Sequence, residues 1–328
     1  MQIPVIGSSE PRLFCRTRIC AFLACFLFLS AQALYAQNDD KPIRVETELA
    51  EFEVLVEDKN GQPVHGLRAE DFRVFENGKQ QKIDFFQPVQ SAGRNRPMVI
   101  VFAVDVSGSM TLAEIGKLRN AIVGFMDRFA DHNSYFSVVS FAMDVKTVQK
   151  FTNRPDVLKK SLEKLERDLK GGSTHAFDGT DLAVRMIDRS TPKTIRGRSP
   201  KRAVVLITDG FPVGDTVAPS AVIDRANASG TSIYSIILPS YSPIQRDSRP
   251  LMTLLEASGM MERTGGSSFY AIDNELEPLF KKLAGEISAS YAIAYYPDEL
   301  PFGKRNVVIE SRSGLRVRQN RASFELNK

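Results

Sequence analysis

Oxygen-bearing side chains alternate in Asp105-Val106-Ser107-Gly108-Ser109, which spaces one carboxylate and two hydroxyls two residues apart. A turn held open by Gly108 lets all three converge on one centre. Hard oxygen donors of this kind suit Mg²⁺, Ca²⁺ or Mn²⁺ rather than zinc or copper. Asp and Ser are also ordinary turn and helix-cap residues, so the motif gains meaning only from what else reaches the same place. Two later stretches supply it. Gly171-Gly172-Ser173-Thr174 brings a hydroxyl held by glycines, and the apolar run 203–208 ends in Asp209-Gly210.

The elements around these groups decide whether they meet. Residues 98–105 are apolar and β-branched-rich and read as a buried strand running straight into the first loop. Ile115, Leu118, Ile122, Phe125, Met126 and Phe129 fall at helical spacing, which predicts an amphipathic helix over 112–130. Strands are expected at 135–141 and 145–151 as an antiparallel hairpin, then at 202–208, 231–238 and 268–272. Helices are expected from Pro155, over 177–187, 218–228 and 251–263, and from an Asn274 cap with Glu277 in the capping-box position. Strands alternating with helices imply an α/β fold, a doubly wound, mostly parallel sheet. In such a sheet the loops leaving the carboxyl ends of the strands share one face, so the three oxygen-rich loops converge there.

On either side the hydrophobic period is two. Residues 45–58 alternate as a strand, and 72–75 with 83–86 read as a hairpin around Asn77-Gly78. After residue 290 short strands return at 290–296, 306–310, 315–318 and 322–326. Each set is undersized alone, so the two are expected to pack as one flanking β module with the α/β part inserted between them. The division is then 1–36 leader, 37–92 N-terminal β region, 93–289 α/β domain and 290–328 C-terminal strands packing with 45–86.

The leader has its own signature. Arg12, Arg16 and Arg18 precede an apolar run over 19–29, followed by the small residues Ala31, Ala33 and Ala36, the layout of a secretory signal peptide. Cleavage after Ala36 or Ala33 is expected, and the run falls short of the ~20 residues a membrane span needs. No stable membrane insertion is therefore expected after cleavage. Cys15, Cys20 and Cys25 all leave with it, so the mature chain has neither a disulfide framework nor a cysteine nucleophile. Of 43 basic and 39 acidic side chains, 40 and 38 remain beyond residue 36, a balance that gives no reason to expect nucleic acid. His65, His132 and His175 have no metal-ligand spacing. The six basic residues within 189–202 read as a solvated linker.

The D-x-S-x-S set at 105–109, the Thr of GGST at 174 and the Asp of LITDG at 209 together resemble the metal-ion-dependent adhesion site of von Willebrand factor A-type domains. The likeness covers about residues 98–288. Tyr295-Tyr296-Pro297, the GGSSFY stretch and the D-x-x-G-x-P-V turn at 58–64 are similar to the secreted bacterial VWFA-related subfamily. The resemblance implies a Rossmann-like sheet and one divalent cation, Mg²⁺ first, with Ca²⁺ or Mn²⁺ as alternatives. It implies that Ser107, Ser109 and Thr174 bind the ion through hydroxyls, while Asp105 and Asp209 act directly or through water. An acidic side chain from a partner protein would fill the open position. His175-Ala176-Phe177 follows Thr174 where an apolar residue is commoner, so His175 joins Phe211, Tyr241 and Arg246 as the candidate ligand rim. The resulting expectation is a periplasmic or secreted, cation-dependent protein-binding module and not an enzyme. No third carboxylate, His or Lys is fixed by the sequence as a base. A metal-dependent hydrolase at the same sheet edge and a structural scaffold are the alternatives, and the oligomeric state stays open.

Overall fold

Eight successive residues of Met98–Asp105 are buried, which requires that both faces of this strand be covered. The computed structural model describes residues 49–90, 95–107, 111–129, 133–165, 173–209, 211–238, 252–271, 275–298 and 301–326, all within one compact unit, Thr47–Lys328. In chain order the strands before the α/β part are β1 (Ala50–Glu57), β2 (Phe72–Glu76), β3 (Lys79–Gln81) and β4 (Phe85–Pro88). Then come β5 (Met98–Asp105), α1 (Leu112–Arg128), β6 (Tyr135–Phe141), β7 (Val145–Thr152), α2 (Pro155–Leu162) and α3 (Ala176–Ser190). They are followed by β8 (Lys201–Thr208), α4 (Pro219–Ala228), β9 (Thr231–Ile237), α5 (Leu254–Ala257), α6 (Met260–Arg263), β10 (Ser268–Tyr270) and α7 (Leu276–Ser288). The chain finishes with β11 (Tyr291–Tyr295), β12 (Gly303–Ser311), β13 (Arg316–Gln319) and β14 (Ser323–Leu326).

The central sheet has the order β10-β9-β8-β5-β6-β7, parallel except for β7 at the edge. The period of two on β5 sorts its side chains to opposite faces. Ile100, Phe102 and Val104 pack with Ile122 and Phe125 of α1 and Phe280 and Leu283 of α7. Val99, Val101 and Ala103 pack with Ala183 and Val184 of α3 and Val222 of α4. Phe102 lies edge-on to Phe125 at 5.7 Å, which adds ring geometry to burial on the first face. Each fully buried apolar side chain here contributes about 1.5–3 kcal/mol. That is enough for the strand to hold the loop after Asp105 in a fixed place.

The flanking strands form two antiparallel sheets, β13-β1-β11-β4 and β14-β12-β2-β3. Strands from both ends of the chain share each sheet: Phe52 opposes Ile293, and Val74 opposes Ile309. Phe52, Val54, Phe72, Tyr291, Ile293 and Val307 close a core of their own. The α/β part leaves after β4 and returns at β11, and these two strands are hydrogen-bonded neighbours. Neither end of the module closes its sheets without the other.

Several local expectations change. The Asn77-Gly78 turn joins β2 to β3, and Phe85 onward belongs to the other sheet beside β11. Positive φ at both Asn77 (47°) and Gly78 (81°) makes a tight two-residue hairpin, which leaves the chain after Gln81 free to cross over. The helix expected over 251–263 is two short ones, because Gly259 takes φ 66° and breaks it. The last long helix starts at Leu276 with Glu275 in the cap position and no side-chain cap bond; Asn274 lies outside the described residues. The basic run 189–202 is not wholly a solvated linker, since Lys201 begins β8 and is buried. Its ammonium meets the carboxylate of Glu53 on β1 at 3.5 Å, and the fully buried Arg96 guanidinium reaches the same carboxylate at 2.5 Å. Charge, rather than apolar contact alone, joins the β module to the sheet at this end.

Candidate metal centre

β5 and β8 run parallel with Val104 beside Ile207, so Asp105 and Thr208 end their strands together. The Thr208 hydroxyl donates to Asp105 Oδ2 at 2.8 Å, and the Ser107 N–H donates to Asp105 Oδ1, also at 2.8 Å. Asp209 follows directly, and its Oδ1 accepts the Phe211 N–H at 3.2 Å. On the other side of β5, Val106 N–H donates to the carbonyl of Phe141 at the end of β6. The next carbonyl, that of Ala142, accepts His175 N–H. Thr174 then pairs with Val213 through two backbone bonds of 2.9 and 3.0 Å. Hydrogen bonds and the covalent chain together thus connect Asp105, the end of β6, Thr174, Val213, Asp209 and Thr208. The loops at 105, 174 and 209 converge on one sheet edge. Ser109 lies outside the described residues, as do Tyr241 and Arg246 of the candidate rim.

The electrostatics of this edge are unbalanced. Burial pushes the Asp105 carboxyl up to about 6, against the pull of hydrogen bonds from Ser107 and Thr208, and the nearby charge of Asp209 adds to the rise. Among the described residues no Lys or Arg pairs with Asp105. A buried carboxylate near a second carboxylate favours a bound proton or a cation that offsets both charges.

Sequence reasoning missed the pair that ties the second and third loops together. Asp215 Oδ1 accepts Asp178 N–H at 2.9 Å and the Phe177 N–H, satisfying open donors in the first turn of α3. The Asp178 carboxylate points the opposite way, taking Val217 N–H at 2.8 Å, Thr216 N–H at 3.1 Å and the Thr216 hydroxyl at 3.1 Å. Burial raises Asp178, but His175 and the N–H groups of Thr216 and Val217 outweigh it and hold the carboxyl below its usual range. Asp215 moves up, through burial first and then the charge of Asp178, although backbone donors pull it down. His175 is not a free rim residue: its Nδ1 is 2.8 Å from Asp178 Oδ2, and its ring is largely covered. Gly214, at φ 88°, lets the chain turn from the Thr174 bridge to the Asp215 cap; a Cβ there would stand 3.1 Å from His175 Nε2. Nothing in sequence spacing announces this pairing, since its members are 37 to 39 residues apart. His175, Asp178 and Asp215 can each offer an atom within 4.8 Å of the others, but the oxygens of Asp178 are already occupied by donors.

Around the edge Phe211 is exposed. So are Met143, next to Ala142, and Val213, opposite Thr174. The family model for the von Willebrand factor type A domain matches residues 100–274, just over half of the chain. The chain belongs to the von Willebrand factor type A domain family. It is 21% identical to the bovine inter-alpha-trypsin inhibitor heavy chain H4 over 61% of its own length and 22% of that protein. It is 25% identical to an uncharacterized Borreliella burgdorferi protein over 59% of this chain and 56% of the other. The chain thus spans about a fifth of the inter-alpha-trypsin inhibitor heavy chains it matches. Among solved structures, an aerotolerance-related membrane protein from Bacteroides fragilis aligns at 20% identity and TM-score 0.44, covering 58% of this chain and 98% of that one. A mussel byssus proximal thread matrix protein with a zinc-occupied metal-ion-dependent adhesion site aligns at 16% identity and TM-score 0.47, covering 62% and 49%.

Proposed function

We propose that the von Willebrand factor type A domain of this chain is a divalent-cation-dependent protein-binding module of the periplasm or cell exterior. One observation carries the reading. Asp105 is a buried carboxylate raised by burial and by Asp209, with no basic partner among the described residues, inside a connected set of loops that also holds Ser107 and Thr174. A donor set of oxygen atoms alone fits a hard cation. Asp105, Ser107, Ser109, Thr174 and Asp209 would hold one Mg²⁺, with Ca²⁺ or Mn²⁺ as substitutes. Such an ion supplies an electrophilic position for an external anion, and hydroxyl ligands leave it more net charge than carboxylates would. The partner we assign is a protein presenting an acidic side chain flanked by apolar ones, since Phe211, Val213 and Met143 are exposed beside the site.

Binding rather than hydrolysis is the function we read here. Hydrolysis needs a base set beside the ion, and among the described residues the hydrogen bond of the His175 ring runs to Asp178 and away from Asp105, Ser107 and Asp209. The Arg-rich and apolar leader supports export, and no helix of the described residues is long and apolar enough to cross a membrane. The test is a pull-down from extracytoplasmic extract in Mg²⁺ against chelator, using wild type and Asp209→Ala. The expected result is a partner retained only by wild type in Mg²⁺. Retention that ignores both chelator and substitution contradicts the adhesion reading.

A further inference from the structure

Asp178 and Asp215 join the segments that carry Thr174 and Asp209. Each carboxylate takes backbone donors from the other's segment. Asp215 closes the first turn of α3, three to four residues after Thr174; Asp178 gathers the N–H groups of Thr216 and Val217, seven to eight residues after Asp209. The favourable end of the α3 dipole adds to the hold on Asp215. Between these contacts lie only the Thr174–Val213 bridge and Gly214, whose positive φ sets the turn. A loop fixed at three successive points has little freedom to shift Asp209 away from Thr174.

We infer that Asp178 and Asp215 form a reciprocal clasp that positions Thr174 against Asp209, making them positioning residues of the cation site. The inference rests on the reading that Thr174 and Asp209 are cation ligands. Outer partners that orient metal ligands typically change affinity by 10–100-fold, and the clasp belongs at the lower end because it acts through backbone. Its two halves serve one geometry, so removing both costs little more than removing one.

The test is titration of the full exported chain with Mn²⁺, read by calorimetry and by the electron paramagnetic resonance of the bound ion. Asp215→Ala should weaken Mn²⁺ about tenfold and broaden the spectrum, while Asp215→Asn, which keeps an acceptor oxygen, should stay within about threefold of wild type. The double variant Asp178→Ala/Asp215→Ala should bind nearly as well as Asp215→Ala. Asp178→Asn replaces Asp215→Ala should the latter fail to fold, with an expected loss of three- to tenfold. Hydrogen exchange should show the amides of Phe177 and Asp178 opening in Asp215→Ala. If wild type binds Mn²⁺, Asp105→Asn does not, and the folded clasp variants bind like wild type, the clasp is overturned while the cation site stands. If wild type itself binds no Mn²⁺, the site reading and the clasp fall together. A separate equivalent of Zn²⁺ lost in His175→Ala, with Mn²⁺ affinity of the clasp variants unchanged, would make the cluster a second metal site and overturn the clasp.

Discussion

One buried carboxylate stands at each end of the central sheet, Glu53 of the neighbouring β1 against the start of β8 and Asp105 at the end of β5, and their surroundings have opposite character. Glu53, at the junction with the β module, meets Arg96 at 2.5 Å and Lys201 at 3.5 Å. Burial pushes its carboxyl up, but Arg96 and Lys201 pull it down further, so it lies below the usual range. Asp105, at the carboxyl end, has hydrogen bonds but no basic partner among the described residues, and burial takes its carboxyl up to about 6. The first site is completed by the chain itself. The second has no basic side chain beside it among the described residues, and in the proposed function a cation from outside would supply the charge.

Breaking the junction should have the largest effect on stability. Arg96→Ala leaves Glu53 buried with a single weak partner, so it should lower the unfolding free energy by about 3–5 kcal/mol. Urea denaturation measures this, and a loss under 1 kcal/mol would make the pair a bystander. Asp105→Asn should behave in the opposite way. Removing an uncompensated charge should raise the stability of the cation-free protein at pH 7, by on the order of 2–3 kcal/mol, while abolishing any stabilisation by Mg²⁺. The same substitution at a merely structural Asp would destabilise under both conditions.

The pH dependence sharpens the contrast. The folded Asp105 value of about 6 exceeds the ordinary 3.8, so the folded state holds a proton that the unfolded state has released. The cation-free wild type should therefore gain stability relative to Asp105→Asn as pH falls from 7 through 6 towards 4. Glu53 has the reverse sign. Its depressed carboxyl contributes stability that is present above its ordinary value of 4.5 and lost as pH falls through the lower folded value. Thermal melts of wild type, Asp105→Asn and Glu53→Gln, taken from pH 8 down to about pH 3 so as to enter the Glu53 window below 4.5, separate the two slopes. Cation binding should weaken as pH drops through 6, because the ion competes with the proton on Asp105. The smallest effect belongs to the rim: Phe211→Ser should change stability by less than about 0.5 kcal/mol and leave cation affinity unchanged, while weakening partner capture.

The difference between the two ends also marks what the sequence made legible. Residues 98–105 announce a buried strand through an unbroken apolar run, and the oxygen-rich loop after it is local, so Asp105 and Ser107 could be found by reading along the chain. Thr174 and Asp209 followed because a parallel sheet sends its loops to one face. Glu53, Arg96 and Lys201 were illegible, since Glu53 sits at a polar position of an alternating strand and Arg96 and Lys201, beside Pro97 and Pro200, resemble linker until long-range packing buries all three. Asp178 and Asp215 escaped for a related reason: their partners are backbone N–H groups, which have no residue signature. The break at Gly259 was hidden because the hydrophobic period continues through it, and only the sign of φ reveals the stop.

In the proposed function Asp105 is one of the groups that would hold the cation. Titration calorimetry with Mg²⁺ at pH 7.5, wild type beside Asp105→Asn, tests it most directly. The expected result is one bound ion in wild type and none in the variant at millimolar Mg²⁺, with both proteins folded. Equal binding in the two, or none in wild type, would contradict the account.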